Sequence, residues 1–187
     1  MKPLDVDLVK RTQNGDIRAF EKLFLSYQKR VYNLAFRMSG NEADAADLTQ
    51  ETFIHAYQSI ARIKNAEAFS TWLFRIAANL CKNHRKAAKL NCDSLENLFD
   101  ENGEVAIEAM AENPEIAVER DERDSLIQEA LNALSDEHRA VVVLHHLEGM
   151  PLAEITKLLN CRVGTVKSRL ARAREELKRK LRSYVES

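Results

Sequence analysis

The chain has 187 residues, 45% hydrophobic and 30% charged, with a formal net charge of −1. That balance supports a real core under a soluble surface, and the longest unbroken apolar run, Ala140 to Leu144, is far short of a membrane span. Three cysteines at irregular spacing (Cys81, Cys92 and Cys161) argue against a disulfide scaffold; with no signal-peptide pattern at the start, a cytoplasmic protein is expected.

In chain order the pattern is helical, with no alternating strand signal. A short first helix ends at Asn14-Gly15. Asp16 caps a long second helix whose Phe20, Leu23, Phe24, Tyr27, Val31, Leu34 and Met38 recur every three or four residues up to Gly40. Asn41 caps a third, reaching roughly Ile60. After the connector Ala61–Asn65, a fourth runs from about Ala66 to Lys89, completing a compact bundle.

Two of these helices carry surfaces of interest. On the fourth, helical geometry groups Phe69, Leu73, Ile76 and Leu80 as core and turns Trp72, Arg75, Asn79, Asn83 and Lys86 onto a different face. One aromatic, two cations and two amides suit exposed bases and phosphates: the ring stacks, the amides read edges and the cations hold the backbone. The same spacing equally fits Trp72 at the edge of the core and Arg75 in solvent. The third helix presents Asp44, Asp47, Gln50, Glu51 and Phe53, an acidic and amide surface suited to a basic or mixed partner helix, or to plain solvation.

Charge is unevenly distributed along the chain. Residues 75–90 hold five cations and no anion, residues 93–124 hold twelve Asp and Glu against Arg120 and Arg123, and the tail from Cys161 is net +6. From about Asn91 to Glu119 the helical pattern breaks at Asn102-Gly103 and Asn113-Pro114. A stretch of about 28 residues without apolar periodicity reads as a flexible acidic interdomain linker. A second helical bundle begins near Arg120, with Leu126, Ile127, Ala130, Leu131 and Leu134 on one face. Ser135 caps the next helix, Glu137–Leu147, which Gly149 ends.

The last segment is the most informative. Leu152, Ile155, Leu158 and Leu159 make the buried stripe of a short helix, and Asn160 stands where a helix-turn-helix needs positive φ. Val166, Leu170 and Leu177 continue the apolar stripe on a second helix, from which Lys167, Arg169, Arg172 and Arg174 project elsewhere. Such a helix fits a DNA major groove, with phosphate-seeking charges beside base-reaching ones. The fold class is therefore all-α: two small helical domains joined by a flexible acidic linker, the second containing a helix-turn-helix.

Together the segments AFEKLFLSYQKRVYNLAFRM, ADAADLTQETFIHAY, FSTWLFRIAANLCKNHRK and VGTVKSRLARAREEL resemble the extracytoplasmic-function (ECF) sigma factors of bacterial RNA polymerase, in that order and over nearly the whole chain. The resemblance implies residues 1–90 as a domain that binds core polymerase and melts the promoter −10 element, 91–119 as the linker, and 120–187 as the domain reading the −35 element. It places Asp47, Gln50, Glu51 and Phe53 on the surface docking core polymerase. Trp72, Arg75, Asn79, Asn83 and Lys86 fall near the −10 element, with the loop around Arg62 to Ala66 capturing an unstacked base of single-stranded DNA. Arg162, Thr165, Lys167, Ser168, Arg169 and Arg172 fall in or beside the major groove of duplex −35 DNA. It further implies an anti-sigma partner and no catalytic activity, cofactor or membrane insertion. The chain departs from the pattern at Thr156, Asn160 and Arg162 in the helix-turn-helix, and at Asn83, where many relatives carry Asp. The linker reaches about 95 Å when extended, enough for the roughly 70 Å of two helical turns of DNA.

Two rival readings differ in what they leave over. A dimeric helix-turn-helix repressor explains the cationic tail but leaves the Trp72 stripe and the acidic third helix without a task. An enzyme would have to use His138, His145 and His146, but adjacent helical residues point about 100° apart, and no phosphate loop, nucleophile motif or paired-carboxylate site accompanies them. Cys81 and His84 lie three residues apart with no complete ligand set, so no metal is expected.

Overall fold

The computed structural model describes residues 3–94 and 124–185, and every described element is helical. The first module comprises α1 (Pro3–Gln13), α2 (Ile17–Ser39), α3 (Glu42–Ser59) and α4 (Phe69–Ser94). The second comprises α5 (residues 124–132), α6 (Asp136–Val142), α7 (Leu152–Leu159) and α8 (Val163–Val185). The acidic linker expected from Asn91 to Glu119, and the start of the second bundle near Arg120, fall almost wholly outside the described residues. α4 continues past Lys89 to Ser94.

Local chemistry sets the helix ends. Asp16 accepts from the Ala19 N–H, Asn41 from Asp44 and Ser135 from His138, each satisfying a first-turn donor with no intrahelical partner. Gly40, at φ 80°, closes α2 by donating its N–H to the Phe36 carbonyl at 2.8 Å. α6 widens into a single π-turn over Val143–Leu147, where the Glu148 N–H reaches the Val143 carbonyl.

α2 is the hub of the first module, burying Ala19, Leu23, Tyr27, Val31, Leu34, Ala35 and Met38 against α1, α3 and α4. The α4 contribution is rotated from the expected stripe. Phe69, Leu73, Phe74, Ala77, Ala78 and Cys81 are buried, while Ile76 and Leu80 sit half-buried at the margin. Three small side chains in that set let α4 approach α2 closely, which hydrophobicity alone does not reveal. In the second module Leu131, Leu134, Val141, Val143, Leu144, Ile155, Val166, Leu170 and Ala173 form the core. Ile127, expected on the buried face of α5, is 41% exposed, and Gln128 is buried in its place. The two modules pack against each other, so their buried residues form one continuous cluster.

Candidate nucleic-acid interface

The connector between α3 and α4 is built of two short 3₁₀ turns, Ile60–Arg62 and Ala66–Ala68. Asn65 caps the second by accepting from the Glu67 N–H at 2.9 Å. Gln13 on α1 donates to both the Ile60 and Ile63 carbonyls, at 3.0 and 2.9 Å, and so fixes the connector to the bundle. The result is an open cleft of about 790 Å³ lined by Arg62, Lys64, Asn65, Thr71, Trp72 and Arg75, among others. A planar group entering it meets an indole, two guanidinium groups and an amide, which is chemistry for stacking on a base and holding its phosphate.

Trp72 is half-buried, its ring 5.9 Å from that of Phe69. It thus belongs both to the core margin and to the wall of the cleft. Arg75, Asn79, Asn83 and Lys86 are exposed along α4, continuing one polar face away from the cleft.

The helix-turn-helix is formed by α7 and α8. Asn160 sits at φ 49° and ψ 50°, the lone positive-φ residue other than glycine among the described residues, and the N–H groups of Asn160 and Cys161 both reach the Thr156 carbonyl. Thr156 turns its hydroxyl onto the Ala153 carbonyl at 2.7 Å, so it fits where a smaller residue is usual. Val166, Leu170 and Ala173 anchor α8, leaving Arg162, Lys167, Ser168 and Arg172 exposed and Thr165 half-exposed. Ser168 donates to the Thr165 carbonyl at 3.0 Å. Arg169 stands apart from its neighbours, being half-buried and paired with Glu137 at 2.6 Å.

On α3, Asp47, Gln50 and Glu51 are exposed together. Phe53 is not on that surface: it is 4% exposed, its ring centroid 4.7 Å from Phe24 and 6.4 Å from Phe20, and it belongs to the core. The apolar part of the face comes instead from Ile54 and Tyr57, 49% and 46% exposed. Their spacing from Gln50 and Glu51, three to seven residues on, was the available signal. Gln13 carried no comparable signal, because its partners are main-chain carbonyls.

The His145 and His146 rings lie 4.9 Å apart, but each has its own partner, the Met150 carbonyl and Arg174, and His138 pairs instead with Glu176. No group of three or more His, Cys, Asp or Glu among the described residues could hold a metal ion. Burial pushes the Cys81 thiol up to about 12. No helix among the described residues is long and apolar enough to cross a membrane.

Residues 23–90 match sigma-70 region 2 and residues 124–177 match sigma-70 region 4. A cleft and cationic helix in one module, with a helix-turn-helix in the other, define a sigma-type transcription initiation factor. The RNA polymerase sigma-H factor of Pseudomonas aeruginosa is 36% identical over 182 residues, covering 95% of this chain and 93% of that one. The ECF RNA polymerase sigma-E factor of Escherichia coli (strain K12) is 34% identical over 186 residues, covering 97% and 96%. The fold is similar to that of CnrH in complex with the cytosolic domain of CnrY (TM-score 0.67, 24% identity, 97% and 99% covered). It is also similar to RpoE in complex with the anti-sigma factor NepR from Bartonella quintana (TM-score 0.70, 22% identity, 89% and 98% covered). The chain belongs to the ECF sigma factors of bacterial RNA polymerase, which bind the core enzyme and promoter DNA and direct transcription initiation.

Proposed function

We propose that the division of labour follows the three surfaces described above, within a domain plan of 1–90, 91–119 and 120–187. The connector cleft, with Arg62 and Trp72, takes an unstacked base of the opened −10 strand, while Arg75, Asn79, Asn83 and Lys86 follow its backbone and neighbouring bases. The exposed face of α8, with Arg162, Thr165, Lys167, Ser168 and Arg172, enters the −35 major groove, and Arg169 joins it once released from Glu137. Asp47, Gln50 and Glu51, extended by Ile54 and Tyr57, dock on core polymerase. The observation that carries this reading is the cleft itself: an aromatic wall, two guanidinium groups and a connector held rigid by Gln13, in the module that also bears the cationic face of α4.

The chain acts in the cytoplasm, has no catalytic activity of its own, and is held in check by an anti-sigma protein. Supporting that last point, one structural relative was solved with the cytosolic domain of CnrY and another with the anti-sigma factor NepR. Run-off transcription with core enzyme on a randomised promoter library tests the assignment. Recovered templates should share two short elements about two helical turns apart, and templates recovered with no shared element would refute it.

A further inference from the structure

Arg169 of α8 is engaged by a group that lies on another helix of the same module. At 3.6 residues per turn it falls on the flank of α8, between the buried stripe of Val166, Leu170 and Ala173 and the face carrying Thr165, Ser168 and Arg172. Its side chain is 21% exposed, whereas Lys167, Ser168 and Arg172 are open to solvent. The guanidinium turns back towards α6. Nη2 meets the Glu137 carboxylate at 2.6 Å, and Nη1 lies 4.0 Å from the Cys161 sulfur in the turn.

Glu137 is well placed to hold it. The residue stands in the first turn of α6, behind the Ser135 cap, where the helix dipole favours negative charge. A hydrogen bond between a guanidinium and a carboxylate is charge-assisted, about twice as strong as one between neutral groups. A base edge in the major groove is a neutral acceptor. To read a base, Arg169 therefore exchanges a charged partner for a neutral one, and the net gain at a correct base is small.

The loss at a wrong base is small as well. A hydrogen-bonding reader is selective mainly because a mismatched partner leaves its polar group unpaired. Arg169 is spared that penalty, since its donors stay satisfied on Glu137 wherever the DNA offers nothing better. We propose that Glu137 is a positioning residue for −35 recognition: by holding Arg169 in reserve it keeps base preference broad at the position Arg169 faces. This inference rests on the assignment of α8 to the −35 element above.

The seam between α6 and α8 also supplies the control. His138 pairs with Glu176 at 3.0 Å, and Glu176 lies seven residues beyond Arg169 on α8, about 10 Å along the helix. Glu176→Gln thus removes the same charge from the same seam while leaving Arg169 on Glu137. Glu137 is 66% exposed, so Glu137→Gln should fold normally, which thermal melts of both variants check.

The test is run-off transcription with core enzyme on the promoter library, followed by sequencing of the recovered templates. In Glu137→Gln one −35 position should sharpen about tenfold towards guanine, whose O6 and N7 accept both arms of a guanidinium. All other positions, including those of the −10 element, should keep their wild-type frequencies. Glu176→Gln should match wild type throughout, and Glu137→Gln/Arg169→Gln should return the sharpened position to its wild-type breadth. No sharpening in Glu137→Gln, equal sharpening in Glu176→Gln, or sharpening that survives the loss of Arg169 overturns the proposal. Wild-type templates that share a −10 element but no −35 element would overturn the assignment of α8, and the role of Glu137 with it.

Discussion

Gln13 and Ile63 are joined by a 2.9 Å hydrogen bond from the amide of α1 to the main chain of the α3–α4 connector, fifty residues away in sequence. Because the same nitrogen also serves the Ile60 carbonyl, one side chain from the N-terminal helix sets the shape of the cleft. Gln13→Ala should cost about 1 kcal/mol of folding stability while lowering initiation several-fold, since a loosened connector no longer presents Arg62 and Asn65 together. Thermal denaturation beside run-off transcription separates the two effects. Parallel loss in both, with no excess loss of initiation, would leave Gln13 as a packing residue only.

Asn160 carries the turn of the helix-turn-helix at φ 49°. Asn160→Gly should be nearly neutral, whereas Asn160→Val, with a branched Cβ forced into the left-handed region, should lose about 1–2 kcal/mol. The loss should fall on the second module, lowering both its melting temperature and duplex binding. Equal stability of the two variants would show that the turn relaxes without cost.

Phe53 and Glu51 lie two residues apart on α3 and should behave in opposite ways. Phe53→Ala empties a site between Phe20 and Phe24 and should cost about 3–5 kcal/mol, so any lost polymerase binding follows unfolding. Glu51→Lys, on the exposed face, should leave stability within about 0.5 kcal/mol yet weaken association with core enzyme. Circular dichroism melts paired with a core-binding assay check both. Normal polymerase binding by Glu51→Lys would move the docking surface elsewhere.

Glu148 gives the fold a pH signature. Burial raises its carboxyl above the ordinary range, and Arg30, 3.2 Å away, offsets only part of that. A carboxyl raised in the folded state holds its proton more readily folded than unfolded. Its contribution is complete below the ordinary carboxyl range and is lost as pH climbs through the raised value. Wild-type stability, measured as the difference from Glu148→Gln by denaturant titration, should therefore improve as pH falls from neutrality through the raised value towards the ordinary carboxyl range. A difference that is flat or that worsens on acidification would contradict the assignment.

What the sequence disclosed was chemistry that acts within a few residues. Asp16, Asn41, Ser135 and Asn160 could be placed because each either accepts from a main-chain N–H three residues on or tolerates a rare backbone angle. The rotation of α4 could not, because choosing Ala77 and Ala78 over Ile76 and Leu80 depends on how closely α2 approaches. Phe53 looked like surface because its neighbours are acidic and polar, whereas two rings from α2 had already claimed it. The candidate −10 stripe was legible from Arg75 through Lys86, and the resemblance had named the loop around Arg62 to Ala66, but the part of Gln13 in shaping the cleft was not legible, since it acts through main-chain carbonyls. The contact between modules was illegible for the same reason: a guanidinium on a main-chain oxygen, as with Arg139 on Met38, leaves no pattern of residue types.

The most direct measurement is run-off transcription by core enzyme with wild-type chain, Trp72→Phe and Trp72→Ala on one template recovered from the library, alongside permanganate reactivity of its unpaired thymines. Wild type should give strong initiation and strand opening, Trp72→Phe a partial loss, and Trp72→Ala a loss of about ten-fold or more, consistent with about 1–3 kcal/mol for a stacked base, while core binding persists. Undiminished initiation and opening by Trp72→Ala would contradict base capture by Trp72.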